Sequence, residues 1–546
     1  MTSKHTTTLP FAEWGPTDRY WLDAFDPGSA LHQFLPVGPV DTIPFPSGRM
    51  KEWENGAERR EQVVEAFRET SLPLSARQRK AIDDLAAPNA MAVVTGQQPG
   101  ALGGPLYTFA KILSAIVFAE TLSEKWEVPV VPILWDGGDD HDLEEIAVLK
   151  WLGSAEGTPT KTFDLSDYSG QSAWEVPFTR GLFEESIEFI TGRHPATDYR
   201  EATLEFLNGL WEEGVTWCDF FDRFWLKVFE DSPLLVVRPW EDGFRRLAED
   251  VFEREIENPQ AYLEDLAQTS GALSSADYSP RIHKTEGTCS FFYYHEGRRC
   301  PVSLKEDGTF TSDGVQPHSK REILSAYRND PSLLSPNALL RPLVQDAILP
   351  TAAAVLGPSE VAYHAQIGKM YARHEIVRPF ILPRISLSLI GANQRSKMEE
   401  IPLALTDLPR NANEITKSLI SSEDLDTMLA VLDDLTERTK AGREKILTVA
   451  REAKFGSQQG IDSQFRRIDK TLNQISDLLR RDEMKRNSEL ATRIKGLQEL
   501  LLPDGDLQER SVGLVPFLCR FGFDWLEPMR EEAPAWTGRE HVIYTP

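Results

Sequence analysis

The apolar positions of the chain fall into three patterns. Short unbroken runs at Met91–Thr95 and Val128–Trp135 predict buried strands, and between them Ile112, Ile116 and Ala119 recur at helical spacing within Tyr107–Leu122. Strand, helix and strand within about 45 residues is the βαβ unit of a parallel sheet, whose ligands sit beyond the carboxyl ends of the strands. Similar runs at Leu234–Val237, Pro350–Leu356 and Phe380–Ser386 predict further strands. The second pattern is a hairpin, Cys289–Tyr294 and Arg298–Leu304 around Glu296-Gly297, inside an otherwise irregular, aromatic-rich stretch. The third lies between Ser421 and Leu501, where there is no proline. Leu425, Met428, Leu432, Leu435, Ile446 and Val449 keep one a/d register, and Ile468, Leu472, Ile475 and Leu479, then Leu490, Ile494, Leu497 and Leu501, keep a second. These predict two long antiparallel helices joined near Phe455–Gly460 and ended by Pro503-Asp504-Gly505. The fold class is α/β: a parallel-sheet core over 1–410 with inserted connecting segments at roughly 153–335, a helical coiled coil over 411–501, and a segment over 502–546 that packs back on the core.

Charge narrows the function classes. Lys+Arg 59 against Asp+Glu 85 leaves a formal charge of −26, a field that repels nucleic acid and anionic membranes, so an anionic ligand needs a locally basic pocket. Four cysteines, Cys218, Cys289, Cys300 and Cys519, form no CxxC pair and fit a reducing cytosol. The start, Met-Thr-Ser-Lys-His-Thr-Thr-Thr, lacks the apolar core of a signal peptide. No run reaches the roughly 20 apolar residues of a membrane span; Ile112–Ala119 and Leu349–Leu356 come nearest. The expectation is a cytoplasmic protein with no nucleic-acid or membrane partner.

Candidate chemistry sits at the predicted strand ends. After Met91–Thr95 the chain reads Gly96-Gln97-Gln98-Pro99-Gly100-Ala101-Leu102-Gly103-Gly104-Pro105, then enters a helix that carries Lys111. Flexible backbone before a helix N-terminus suits phosphate or carboxylate, although the loop is neither GxGxxG nor GxxxxGK[ST] and also reads as a tight strand-to-helix turn. After Val128–Trp135 comes Asp139-Asp140-His141-Asp142, which suits a general base or a metal, or else caps a helix together with Glu144 and Glu145. A third group, Arg341, Gly357-Pro358-Ser359-Glu360, Tyr363, Gln366 and Arg384, adds cations and a carboxylate at further strand ends. His283, Cys289, His295 and Cys300 have zinc-ligand chemistry, but a two-residue turn pairs Cys300 with Tyr293 and Arg298 with His295, leaving Cys289 and His283 down the ladder, so no zinc is expected.

These motifs, in order, resemble a known family. Val94-Thr95-Gly96-Gln97-Gln98-Pro99-Gly100, Gly104-Pro105-Leu106-Tyr107-Thr108 with Lys111, Gly138-Asp139-Asp140-His141-Asp142, Arg341-Pro342, Gly357-Pro358-Ser359-Glu360 with Tyr363, and Leu507-Gln508-Glu509-Arg510 look like the cysteine-adding enzymes of bacillithiol biosynthesis, BshC. The chain departs from the family pattern at Asp139, where glutamate is usual, and at Ser359, where glycine is usual. The resemblance implies a Rossmann-like core with inserted connecting segments, a coiled coil that makes a homodimer, and the joining of cysteine to glucosaminyl-malate.

Amide formation from a free carboxylate is uphill, so ATP, or ADP as bound product, optionally with Mg²⁺, is the expected cofactor, acting most simply through a cysteinyl-adenylate. On that reading Gly96, Gln97, Gln98, Gly100, Gly104, Tyr107 and Thr108 hold the nucleotide, with Lys111 neutralising charge. Asp140, His141 and Asp142 carry the proton chemistry, and Arg341, Glu360, Tyr363 and Arg384 bind substrate. Two rivals remain open at this point: a metal-dependent hydrolase or transferase using the Asp-His-Asp loop, and a noncatalytic coiled-coil assembly protein whose core senses a nucleotide.

Overall fold

A computed structural model describes residues 6–14, 18–401, 403–419, 423–536 and 538–546. The elements that position the site are, in chain order, β1 Met91–Gln97, α1 Leu106–Trp126, β2 Val130–Asp136, β3 Leu235–Val237, β4 Thr351–Leu356, α2 Pro358–Gln366 and β5 Phe380–Pro383. The strands form one all-parallel sheet in the order β5-β4-β1-β2-β3. Chain order runs outward from β1 through β2 to β3 on one side and through β4 to β5 on the other. The order therefore reverses between β1 and β4, the switch point where open parallel sheets bind ligands. Register places Gly96 beside Trp135, Gln97 beside Asp136, and Leu356 beside Pro383, so these strand ends share one edge.

The strands are short and buried on both faces, which is why their sequences read as apolar runs rather than alternating ones. Helix α1 packs on β1 and β2 with fourteen residues buried. It is the one helix among the described residues long and apolar enough to cross a bilayer, yet most of it is sheathed in the core. Counting apolar runs from Ile112 to Ala119 underestimates it, because Ser114 and Lys111 interrupt the sequence while being buried themselves.

Two expectations are revised, and one departure from the family pattern finds its explanation. The region Phe380–Ser386 is not one strand: after β5 the chain turns at Arg384-Ile385, and Ser386–Leu389 joins a second sheet with Glu540–Tyr544 and Thr6–Pro10. The stretch 153–335 is not wholly inserted, since it contains β3 of the central sheet. Its hairpin, Thr288–His295 with Arg298–Leu304, has the expected register of Tyr293 to Cys300 and His295 to Arg298. Ser359 lies inside α2 and has no positive φ, so the family's glycine there is not required by backbone conformation.

The chain divides into two compact units: residues 1–152, 158–395 and 506–546 form the first, and 153–157 with 396–505 form the second. The boundaries expected at 410 and 501 correspond to Arg395/Ser396 and Gly505/Asp506 in this division. In the second unit, helices Glu423–Glu452 and Gln458–Leu501 pack against each other. The a/d register splits between two environments. Leu425, Leu432, Leu472 and Leu479 are half-buried, whereas Met428, Leu435, Ile446, Val449, Ile468 and Ile475 stay exposed.

Candidate active site

A cleft of about 540 Å³ opens at the strand ends on the switch point. From the glycine loop, Gly96, Gln97, Gln98, Tyr107 and Lys111 line it. Asp140 and His141 enter from beyond β2, and Arg341, Glu360, Tyr363 and Arg384 from around β4, α2 and β5.

Lys111 is buried one turn and a half into α1. Its ammonium donates to the Gly96 carbonyl at 2.9 Å and to Gln97 Oε1 at 3.1 Å, and sits 2.7 Å from Glu360 Oε2. Burial pushes its pKa down while Glu360 pulls it back up. Glu360 is itself fixed, accepting from the Gly357 N–H at 2.8 Å as the third residue of α2. Arg341 packs under the loop so closely that a Cβ on Gly96 would meet its Nη1 at 3.1 Å. Nη1 donates to Gln345 Oε1 at 3.0 Å, and Tyr363 is its other hydrogen-bond partner. Among the described residues no carboxylate stands within ion-pair distance of Arg341.

The acidic loop separates into three roles. Asp139 is buried and accepts both arms of Arg245, with Tyr294 OH donating to it at 3.2 Å. Its backbone carbonyl accepts from Ser172 Oγ at 2.8 Å, so this residue anchors the loop. Glycine at 138 permits that anchorage, because a Cβ there would lie 2.6 Å from both Cys218 Sγ and the Trp240 ring. Asp140 turns into the cleft: Oδ2 accepts from Gln98 Nε2 at 2.6 Å, and Oδ1 from the His141 N–H at 2.8 Å. His141 is partly exposed, with its pKa lowered first by burial and then by Arg299, against the pull of Asp140 and Asp142.

Four expected site residues lie elsewhere. Asp142 is exposed and caps the short helix Leu143–Ile146, accepting from the Glu145 N–H at 3.4 Å, the helix-cap alternative for an acidic run. Gly100 and Gly104 are buried against each other, where a Cβ on Gly100 would come 2.6 Å from Gly104 Cα, and Thr108 packs on the same spot. They serve a close backbone approach, not a ligand. The first N–H of α1, that of Leu106, already donates to the Val512 carbonyl at 2.8 Å. Of the loop over Gly96–Gly104 expected to cradle phosphate, only Gly96–Gln98 line the cleft.

Arg384 lines the cleft, but its guanidinium is taken. Nη1 and Nη2 bond Glu509 at 2.9 and 2.7 Å, Nη1 also reaches the Ile385 carbonyl at 2.9 Å, and the residue is 3% exposed. Glu509 lies 125 residues away, on the returning helix Gln508–Ser511, so local sequence held no sign of the pairing. Arg384 is a wall of the site rather than a free cation.

Motif reading missed Lys284, Phe292, Arg299 and Asn337, while Arg510, which closes the Leu507–Arg510 motif, also lines the cleft although no site role was expected of it. One signal was available for Arg299. It alternates with exposed Arg298 on the same strand and so occupies an inward position, unusual for an arginine. Cys289 is buried in the core and Cys300 is half-exposed on the hairpin, and among the described residues no three His, Cys, Asp or Glu side chains converge as a metal cage.

Comparison with known proteins matches two family descriptions in tandem. Residues 44–385 match "Bacillithiol biosynthesis BshC, N-terminal Rossmann-like domain", and residues 387–545 match "Bacillithiol biosynthesis BshC, C-terminal coiled-coil domain". Among the curated relatives are proteins named "Putative cysteine ligase BshC". That of Salinibacter ruber is 28% identical over 86% of both chains. The Chlorobaculum tepidum protein is 27% identical over 89% of this chain and 88% of its own, and that of Chloroherpeton thalassium is 30% identical over 85% and 84%. With both halves matched in order, and the glycine loop, the acidic loop and α2 meeting at one cleft, the chain belongs to the bacillithiol biosynthesis BshC family.

Proposed function

We propose that the cleft is the active site of a cysteine ligase that joins the carboxyl group of L-cysteine to the amine of glucosaminyl-malate, with ATP supplying the activation. The observation that carries this reading is Arg341, a cation beneath the glycine loop with no carboxylate in ion-pair distance among the described residues, in a protein of net charge −26. Glu360 and Asp346 attract this charge from beyond contact, so its nearest carboxylate-like partner is still to be supplied, and an anionic ligand fits that place. The curated relatives' name, which says cysteine ligase, supports the ligase part of this reading.

ATP, when bound, would convert the cysteine carboxylate into an acylating species. The fit rests on Lys111 and Arg341, whose charges face the Gly96–Gln98 backbone, together with Arg510 and Lys284 at the rim. Lys111, whose three N–H bonds meet Gly96, Gln97 and Glu360, would hold the loop in place and add positive potential beneath the phosphate, and would donate to a phosphate oxygen only by giving up one of those partners. Asp140, oriented by Gln98, faces the opposite wall and is the carboxylate placed to receive the amine proton. Lys111 and Arg384 each lie 5.7 Å from the centre of the Tyr107 ring, which packs beside both cations. On the same reading the protein works in the cytoplasm as a homodimer through the exposed apolar stripe of the two long helices.

The test is direct. Pure protein incubated with cysteine, glucosaminyl-malate and MgATP should yield bacillithiol by mass spectrometry, with AMP if the activated species is an adenylate and ADP if it is an acyl phosphate. No product, with substrates intact and the protein folded, refutes the reading.

A further inference from the structure

Arg299 enters the cleft from the hairpin sheet, not from the parallel sheet that supplies the recognised motifs. The residue is 8% exposed, and its guanidinium is fixed on three sides. Nε donates to Ser335 Oγ at 2.9 Å, Nη2 donates to the Pro336 carbonyl at 2.7 Å, and its central carbon lies 3.8 Å over the Phe292 ring. The remaining arm, Nη1, stands 3.1 Å from Nδ1 of His141 and, more distantly, 3.8 Å from Asp140 Oδ1. A guanidinium has only donors, so Nδ1 must accept, and a neutral imidazole that accepts at Nδ1 carries its proton on Nε2.

We propose that Arg299 is a positioning residue that locks His141 as the neutral Nε2–H tautomer, making His141 a hydrogen-bond donor to the reacting oxygen and leaving Asp140 as the base. The catalytic half of this inference rests on the ligation reading above; the tautomer half does not. In that reaction the amine nitrogen bonds to the acyl carbon, the bond from that carbon to the phosphate oxygen breaks with its electron pair going to the leaving group, and the amine proton passes to Asp140. A neutral imidazole polarises a carbonyl without itself changing charge. Three charged groups face the His141 ring: Arg299, Asp140 with Oδ1 at 3.8 Å, and Asp142. The two carboxylates favour an imidazolium, while burial and Arg299 oppose it, and the balance lowers the pKa of His141. Protonating Nδ1 would set two donors face to face at the shortest of these contacts.

The experiment is ¹⁵N NMR of protein labelled at histidine, with the His141 signals assigned by their loss in His141→Gln. Wild type should show Nδ1 unprotonated and Nε2 protonated around neutral pH. Arg299→Met should mix the tautomers and raise the His141 midpoint toward the ordinary histidine range, and Arg299→Lys, which keeps a donor, should restore the accepting Nδ1 in part. In turnover, the acid limb of Arg299→Met should lie at higher pH than that of wild type, with activity falling roughly tenfold as His141 becomes charged. A wild-type His141 protonated at Nδ1, or cationic at neutral pH, overturns the proposal, as does an Arg299→Met spectrum identical to wild type. The wild-type spectrum decides even if the methionine variant fails to fold. If wild type makes no product, the ligation reading falls while the tautomer result still stands or falls by itself.

Discussion

Replacing Glu509 by glutamine separates a structural Arg384 from a ligand-binding one. Glu509 is fully buried and accepts from Arg384 Nη1 and Nη2, from Ser386 Oγ at 2.7 Å and from the Leu387 N–H at 2.8 Å. These contacts hold its carboxyl below the usual glutamate range, although burial alone would raise it. In Glu509→Gln one acceptor oxygen becomes a donor facing the guanidinium, and the buried arginine loses its counter-charge. Breaking a buried pair in this way typically costs about 3–5 kcal/mol. At about 2.1 cal/mol/K of unfolding entropy per residue over a cooperative unit of roughly 400 residues, that corresponds to a melting point lower by about 4–6 °C. Calorimetry of both proteins across pH checks the sign as well. A carboxyl whose folded pKa is depressed contributes stability above its unfolded pKa and loses it as pH falls through the folded value. The gap between wild type and variant should therefore be full at neutral pH and close in acid, below the usual glutamate range. His541, on Ser386, is held neutral by burial with a pKa of about 4. It destabilises both proteins as pH falls from the usual histidine range toward that value, and because the Glu509 charge raises the His541 pKa, the difference reports Glu509 together with that coupling. A variant that melts with wild type at neutral pH, but binds substrate weakly, would refute the structural assignment of Arg384.

Lys111→Ala and Arg341→Ala should each lower product formation at least about tenfold with folding intact, measured as product per folded molecule, because each removes a fixed charge from a desolvated site. Asp140→Asn should damage turnover strongly with little change in melting, whereas Asp142→Ala should lose only the helix cap, about 0.5–2 kcal/mol, and keep its activity; reversed effects would mean the roles in the loop are exchanged. Ile475→Glu with Leu478→Glu alters side chains that are 39% and 55% exposed in the protomer, so it should leave the helices folded by circular dichroism yet convert a dimer to monomer in sedimentation. Monomeric wild type at micromolar concentration, or an equally dimeric variant, would place the dimer contact elsewhere.

Several levels of this protein are local and therefore legible along the chain. Strands buried on both faces must be short apolar runs, and β1, β2 and β4 were read to within a residue or two for that reason. The long helices carry their period over many turns, so their extent and their connection were equally plain. Gln97, Lys111, Asp140 and Arg341 reach the cleft because parallel strands deliver the residues after their carboxyl ends to one edge. What the tertiary structure decided is which charges remain available there. Arg384 and Asp139 carry the same side chains as Arg341 and Asp140, yet Glu509 and Arg245 neutralise them across 125 and 106 residues. Gly100 and Gly104 look like a phosphate loop in one dimension and become a backbone crossing in three. A side chain's chemistry is set by its covalent structure, but its charge state and its freedom to meet a ligand depend on partners brought from far along the chain, and no local spacing encodes those.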